Sequence, residues 1–494
     1  MLLKSTLLNY IYHHIQTHQN THIIIAYSGG IDSQVLLHCL STLKSEKLNY
    51  TVSVCHVNHG LSSNALEWEN FAQQQCALFE FPLDIFRVKV KAKAQHSLEE
   101  LARDARYNAI KSLVNTKRLN NVLVLTGHHA DDQAETFLLA LKRGSGVKGL
   151  SAMKPEMAFG QAILARPLLN IPRSEIEAYA RLNELLWIED ESNEDVKFDR
   201  NFLRHQIMPT ITKRWPSFLK TINRSAEHCQ EAEQLLTELA TLDLESILSS
   251  SNALLLTKLQ GLSQARFNNV IRYFLTLNQC LMPSAAQLLQ LNKQLFANKN
   301  KTPEVKVGDH WLRRYKQHVY LTSNFKSVSE FSSLIKPVSD SKVEEVITLP
   351  DNLGELFFSY TDVITEKVIK ESIEKCVNKS MDEAFYKQPN NNKNLNDSIL
   401  QKTCTSTLLA PTLAQQVTIR FEHNNPVCTP DFRQHSRTLK KILQELVIPP
   451  WQRKRLPFVY YNEQLVAVMG YFVCKEFIPN NTDERLNITW IQWV

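Results

Sequence analysis

His22-Ile23-Ile24-Ile25-Ala26-Tyr27-Ser28-Gly29-Gly30-Ile31-Asp32-Ser33 is the stretch on which the fold is read. Its first half is a β-branched apolar run with the length and composition of a buried strand. Beyond the glycines, Val35-Leu36-Leu37-His38-Cys39-Leu40 suits a buried helix. Between the two, Gly29 and Gly30 let the backbone turn sharply and approach an anion with no Cβ in the way. The helix that follows points unpaired N–H groups and its positive dipole end at that anion. Ser28 and Ser33 add hydroxyl donors. A carboxylate repels bare phosphate, so Asp32 makes sense where Mg2+ bridges it to a pyrophosphate. The Walker A pattern is excluded, because no lysine follows the glycines. The plainer reading is an ordinary β–α turn with helix-capping Ser and Asp.

Working outward, strands are expected at Tyr50–Val57, at Asp84–Val90 with Ile85, Val88 and Val90 as anchors, and at Asn121–Leu125. A helix is expected over Ser97–Val114, where Leu98, Leu101, Ala102, Ala105, Ala109, Ile110 and Leu113 form a stripe. Another covers Ala130–Lys142 and closes at Gly144. Such alternation implies an α/β fold over residues 1–215, a parallel sheet with helices on both faces. From Trp215 to Gln294 the pattern turns helix-rich, with Leu235, Leu236, Leu239 and Leu242 at helical spacing, as are Phe267, Val270, Ile271 and Phe274. A helical linker domain is therefore expected over 216–330, and a small α/β domain over 331–494. Residues 366–416, containing Pro-Asn-Asn-Asn-Lys-Asn, are expected to be a flexible insertion without chemistry.

Chemistry-bearing strings gather at the expected strand ends. His56-Val57-Asn58-His59-Gly60 closes the second strand, at the edge where open α/β sheets bind ligands. Arg103 and Arg106 share a face of the long helix and could meet phosphate or carboxylate, or simply face solvent. Gly127-His128-His129-Ala130-Asp131-Asp132-Gln133-Ala134-Glu135-Thr136 follows the fourth strand. Its Asp132 and Glu135 lie three apart, which puts both carboxylates on one helical face. An acid at this spacing also makes a capping box, but two histidines and three acids exceed what a cap requires. Arg166-Pro167-Leu168-Leu169, Asp190-Glu191-Ser192-Asn193 and Arg200-Asn201-Phe202-Leu203-Arg204 come downstream. Near the end, Arg433, Arg437, Lys440, Lys441, Arg453, Lys454 and Arg455 cluster around Trp451. Arg437, Lys440 and Lys441 are spaced as one helix face, suited to phosphate contacts that do not read sequence.

The Ser-Gly-Gly-Ile-Asp-Ser string resembles the PP-loop family of N-type ATP pyrophosphatases, which adenylate a substrate and release pyrophosphate. With the strand-end strings, residues 20–215 resemble the tRNA(Ile)-lysidine synthetase family. Ile448-Pro449-Pro450-Trp451 through Tyr461 is similar to the C-terminal domain of its long form. The resemblance implies ATP and Mg2+ as cofactors, and free L-lysine and the CAU-anticodon tRNA(Ile) as substrates. Adenylation of the wobble cytidine at its C2 oxygen and displacement of AMP by lysine would give lysidine. It implies an ATP site at Ser28, Gly29, Gly30, Ile31, Asp32 and Ser33, with Asp32 also the metal ligand. Asp32, Arg106 and His128 are implied at the reaction centre, and Asp132 and Glu135 at lysine. The tRNA contacts would be Arg200 and Arg204 together with the C-terminal cations. A homodimer is left open.

Composition fits this picture. Net charge is +6, a mild excess compatible with nucleic acid without requiring it. No apolar run reaches the ~20 residues a bilayer span needs. No secretory signal opens the chain, and nine cysteines occur without a C-x-x-C pair, so a reducing cytoplasm is expected. The same cysteine pattern argues against the nearest rival, a tRNA 2-thiolation enzyme that needs a cysteine pair or an iron–sulfur cluster. A non-catalytic tRNA-binding protein would have lost Asp32 or the acid pair, and all are present.

Overall fold

The apolar run His22–Tyr27 forms the middle of a sheet. A computed structural model describes residues 2–18, 21–45, 50–60, 62, 64–90, 98–117, 119–249, 252–297, 302–335, 345–360 and 402–493. The chain divides into two units, one covering Met1–Leu239 and the other beginning at Ala240. In the first, α1 (Leu2–Thr17) precedes β1 (Thr21–Tyr27), α2 (Ile31–Ser41), β2 (Tyr50–Asn58) and α3 (Ala65–Leu78). Then come β3 (Leu83–Arg87), α4 (Leu98–Thr116), β4 (Val122–Leu125), α5 (Ala130–Lys142) and α6 (Val147–Leu150). The hairpin β5 (Glu156–Phe159) and β6 (Ala162–Ala165) leads to α7 (Arg173–Leu182). A short α8 (Asp199–Phe202), a π-turn at Leu203–Ile207 and α9 (Met208–Arg214) precede the long α10 (Phe218–Ile247), which runs across the boundary between the units.

The six strands lie in the order β3-β2-β1-β4-β6-β5, parallel throughout except β5 against β6. Strand periodicity explains why the whole of Ile23-Ile24-Ile25 is apolar. Ile23 and Ile25 pack with Val35, Leu36 and Leu40 of α2, while Ile24 packs with Ile110 and Val114 of α4 on the opposite face. The chain reverses its direction of winding between β1 and β4, which opens a crevice beyond their carboxyl ends. Ile25 pairs with Leu125, so the loops starting at Ser28 and His128 leave the sheet at the same height.

The expected strands and helices of this unit are present, with the third strand ending at Arg87 rather than Val90. The first residue of the expected 97–114 helix, Ser97, lies outside the described residues. The sequence reading passed over α3, because its inward face is polar. Gln75 accepts from Gln34 at 2.6 Å, and Gln34 in turn accepts from Tyr27 at 2.6 Å, a buried chain that hides the apolar period.

The second unit departs further from expectation. The helices α11 (Leu256–Gln260), α12 (Gln264–Leu277) and α13 (Ala285–Leu295) are present, and Phe267, Val270, Ile271 and Phe274 are buried as expected. The leucine stripe on α10 is not core: Leu235 and Leu242 are each 65% exposed. Residues 216–330 are also not wholly helical. β7 (Leu254–Leu255), β8 (Glu304–Val307), β9 (His310–Tyr315) and β10 (His318–Ser323) form an antiparallel sheet in the order β7-β10-β9-β8. The signal was a tight Gly308-Asp309 turn with Gly308 at φ +58, flanked by the alternating Val305 and Val307.

The last segment, expected as a small α/β unit, carries two short α-helices among mostly antiparallel strands over its described residues. β11 (Ser332–Ile335), β12 (Glu345–Thr348), β13 (Glu355–Ser359), β14 (Lys402–Leu409) and β15 (Val417–Arg420) come first. They are followed by β16 (Val427–Cys428), β17 (Arg437–Thr438), α14 (Leu439–Glu445), α15 (Pro450–Arg453), β18 (Phe458–Tyr461), β19 (Gln464–Val468), β20 (Phe472–Val473) and β21 (Arg485–Gln492). Two larger sheets result, β11-β15-β18-β19-β20 and β12-β13-β21-β14. β14 corrects the expected insertion at 366–416. It pairs with β21 from Lys402 opposite Gln492 to Leu409 opposite Arg485, as its run of Thr and Ser allows. The Asn-rich part of that expected insertion lies outside the described residues.

Candidate nucleotide and amino-acid site

Gly29 adopts φ +86, a backbone region that favours glycine, and a Cβ there would stand 3.2 Å from Ile188 Cδ1. Gly30 is the N-cap of α2, and no side chain caps that helix, so its first N–H groups remain available to an anion. Of the two serines, Ser33 is buried and donates to Gly30 O at 2.9 Å, which ties the loop to itself. Ser28 is exposed, and its Oγ accepts from Gly30 N at 3.3 Å. Ile31 is buried beneath the loop. Gly127, in the loop after β4, presses against this turn, and a Cβ on it would meet Asp32 Cβ at 2.8 Å. The glycine heading the acidic string therefore serves the neighbouring loop.

Asp32 faces inward from the first turn of α2. Arg173 Nη1 donates to its two oxygens at 3.2 and 3.0 Å, and His129 Nε2 lies 3.8 Å away. Burial pushes the Asp32 carboxyl above its usual range, against the pull of His129 and Arg173. His129 is surrounded by acids, with Asp132 at 3.4 Å and Asp131 at 3.6 Å. Burial alone would lower its pKa, but Asp131, Asp132 and Asp32 outweigh that and raise it. A histidine raised above its unfolded value of about 6.5 stabilises the fold fully below that pH and loses the contribution as pH climbs through its folded value. The thermal midpoint of His129→Asn should therefore lie furthest below wild type near pH 6 and converge on it in alkali. A gap independent of pH would remove the charged imidazole from the account.

Asp132 and Glu135 do share a face of α5, and the capping reading holds for half of the pair, since His129 N donates to Asp132 Oδ2 at 3.1 Å. Burial opposes ionisation of Asp132, yet His129, Arg200, His128 and Arg204 hold its pKa down at about 2. Glu135 is 1% exposed and carries two guanidinium groups. Arg200 Nε donates to it at 2.8 Å and Arg204 Nε at 2.7 Å, while Arg204 Nη2 reaches Asp132 at 3.1 Å. The two arginines expected at tRNA are thus placed on the acid pair. His128 bonds Thr126 Oγ1 through Nδ1 at 2.9 Å, and burial drives its pKa to about 3, so it is neutral at pH 7. Arg106 sits on α4 near His56 of β2 and His59 just past its end. With burial, its charge lowers the pKa of His59 to about 4 and that of His56 below the usual value.

The crevice thus brings together the loop at 28–33, Asp32, His128, Asp132, Glu135, Arg200 and Arg204. Reading the sequence missed Arg173, whose partner Asp32 lies 141 positions away, and assigned no task to His129 or Gly127.

Comparison with known proteins meets this geometry directly. Residues 3–211 match the family model of the PP-loop domain, residues 254–320 that of the TilS substrate binding domain, and residues 417–490 that of the TilS substrate C-terminal domain. The tRNA(Ile)-lysidine synthase of Edwardsiella ictaluri is 38% identical over 470 residues, 95% of this chain and 94% of that one. That of Proteus mirabilis is 36% identical over 491 residues, 99% of each. The chain belongs to the tRNA(Ile)-lysidine synthase family.

Cys39, Cys55, Cys76, Cys280, Cys428 and Cys474 are buried, and no cysteine among the described residues belongs to the loop or the acidic string. The C-terminal cations divide into two groups. Arg433 and Arg437 pair with Glu445, Arg453 donates to Ile448 O at 2.7 Å and Tyr315 Oη at 2.9 Å, and Arg455 donates to Asp351 at 2.5 Å. Lys440, Lys441 and Lys454 are exposed. Arg437 lies in β17, and α14 begins only at Leu439 after an extended Thr438, so the expected single helix face of Arg437, Lys440 and Lys441 does not form. No helix among the described residues is long and apolar enough to cross a membrane.

Proposed function

We propose that this chain ligates free L-lysine to C2 of the wobble cytidine of CAU-anticodon tRNA(Ile). ATP is converted to AMP and pyrophosphate, and the codon read changes from AUG to AUA. The observation carrying this reading is the meeting, at adjacent strand ends, of an uncapped Gly-Gly helix turn and a carboxylate pair that already holds cationic side chains. The turn suits the ATP phosphates, with Asp32 the hard oxygen ligand that a Mg2+ on those phosphates would take. A bound Mg2+ would offset charge on the departing pyrophosphate.

The cytidine C2 oxygen attacks the α-phosphorus and pyrophosphate leaves. An amino group of lysine then adds at C2, and the C2–O bond to AMP breaks. Asp132 and Glu135 receive an ammonium group of lysine, the chemistry they now show toward guanidinium. The attacking amine must shed a proton, and Asp32, whose carboxyl burial pushes above its usual range, or a histidine of the crevice would take it. Arg106 supplies positive charge where the phosphate becomes more anionic. The functional division follows as a PP-loop catalytic segment at 1–215, a linker and substrate-binding segment at 216–330, and a tRNA-holding segment at 331–494. In that last segment Lys440, Lys441 and Lys454 meet phosphates, with Arg433, Arg437, Arg453 and Arg455 shaping the surface. The protein would act in the cytoplasm beside its tRNA, and as a homodimer if sedimentation at micromolar concentration shows twice the chain mass.

Incubation with labelled lysine, ATP and total bacterial tRNA, followed by nucleoside analysis, tests the reading. Label should enter a modified cytidine of one isoleucine tRNA. Label in no nucleoside, or sulfur incorporation in place of lysine, overturns it.

A further inference from the structure

We propose that Arg313, boxed by Trp311, Phe325 and Trp451, receives one phosphodiester of bound tRNA. The inference rests on the reading that this chain binds tRNA, and it names a site that the basic runs of the sequence did not indicate. Arg313 projects from β9 with a side chain only 10% exposed. Its guanidinium carbon stands 5.1 Å from the ring centre of Phe325, 5.5 Å from Trp451 and 5.7 Å from Trp311. Among the described residues it donates no hydrogen bond. The nearest carboxylate, Glu304, is 3.6 Å from Nε and itself 44% exposed. Nε is buried without a partner, as are the indole N–H groups of Trp311 and Trp451.

The next residue shows what the fold does with a buried arginine that it satisfies internally. Arg314 donates to Leu295 O at 2.6 Å and Ala297 O at 2.7 Å. Arg313 has no such carbonyls. Aromatic faces offset only part of the desolvation of a cation whose five N–H groups want acceptors. An acceptor-rich anion is what the box lacks, and the planar guanidinium fork matches a phosphate. Two further arginines stand close by, one of them, Arg455, paired with Asp351. Arg455 stacks 4.3 Å over Phe325, and Arg453 bonds Tyr315, whose ring packs against Trp451. Aromatic rings beside arginines suit a nucleic acid better than an acidic protein segment, because a base can stack where its phosphate is held. Residues 254–320, which include Arg313, match the substrate binding model.

The test measures binding of a CAU-anticodon tRNA(Ile) transcript to the full chain across a salt series, with thermal midpoints alongside. Arg313→Met should weaken binding about tenfold and flatten the slope of log affinity against log salt by about one. Glu304→Gln removes the carboxylate that competes for the guanidinium, so it should tighten binding about twofold or more. A purely architectural arginine predicts otherwise: a lower midpoint in both variants, with affinity and salt slope as in wild type, and that result overturns the proposal. Should Arg313→Met fail to fold, Glu304→Gln decides, and unchanged affinity overturns the box. A wild-type chain that does not bind the transcript sinks the tRNA reading, and this inference with it. Binding by wild type with no response to either variant sinks this inference alone.

Discussion

Asp32→Asn is expected to slow pyrophosphate release by about 10²–10³-fold at saturating Mg2+-ATP, the scale on which losing one preorganised electrostatic group acts in an active site. The substitution preserves shape and removes one charge at the base of the phosphate turn. Its structural cost is small, because Arg173 keeps Glu177 at 3.0 Å and the Asp32–Arg173 pair is partly open to water. Screening limits that pair to about 1 kcal/mol. A near-unchanged thermal midpoint with pyrophosphate release collapsed is therefore the expected signature. Single-turnover release with tRNA present measures it, and lysidine formation near the wild-type rate would strip Asp32 of its part in handling ATP.

Glu135→Ala should be the most destabilising single change in the crevice. It takes from Arg200 and Arg204 the carboxylate they share, leaving Asp132 as the other acid both reach, and removing one member of a buried ion pair costs about 3–5 kcal/mol. For a unit of this size that is a fall of roughly 6–20 °C in midpoint. Stability and lysine recognition separate in a second comparison. Glu135→Gln keeps the volume and one acceptor oxygen, so the fold should suffer less than in the alanine variant while the KM for lysine rises at least about tenfold, the loss of a charge-assisted bond. The double change Glu135→Leu with Arg204→Leu should recover part of the stability and none of the lysine use. An unaltered lysine KM in Glu135→Gln would leave Glu135 as a brace for the two arginines and nothing more.

Legibility followed the range over which each feature is encoded. The phosphate turn was readable because every part of it falls within a dozen consecutive residues: strand, two glycines, acid, helix. The placement of Asp132 and Glu135 on one face was readable because helical period is local. Burial was less readable. Leu235 and Leu242 keep a helical spacing and still face outward, since period reports a face and not what covers it. The sheet over 254–323 was missed because its strands are short and three helices separate the first of them from the rest, so that helical composition dominated a long window.

The chain's order of residues determined the phosphate turn, the alternation that makes a parallel sheet, and the acids at the end of the fourth strand. Tertiary structure alone decided which cations meet those acids. Arg200 reaches Glu135 across 65 positions and Arg173 reaches Asp32 across 141. Ion pairs form by distance in space, and no periodicity along a chain records a partner so far away.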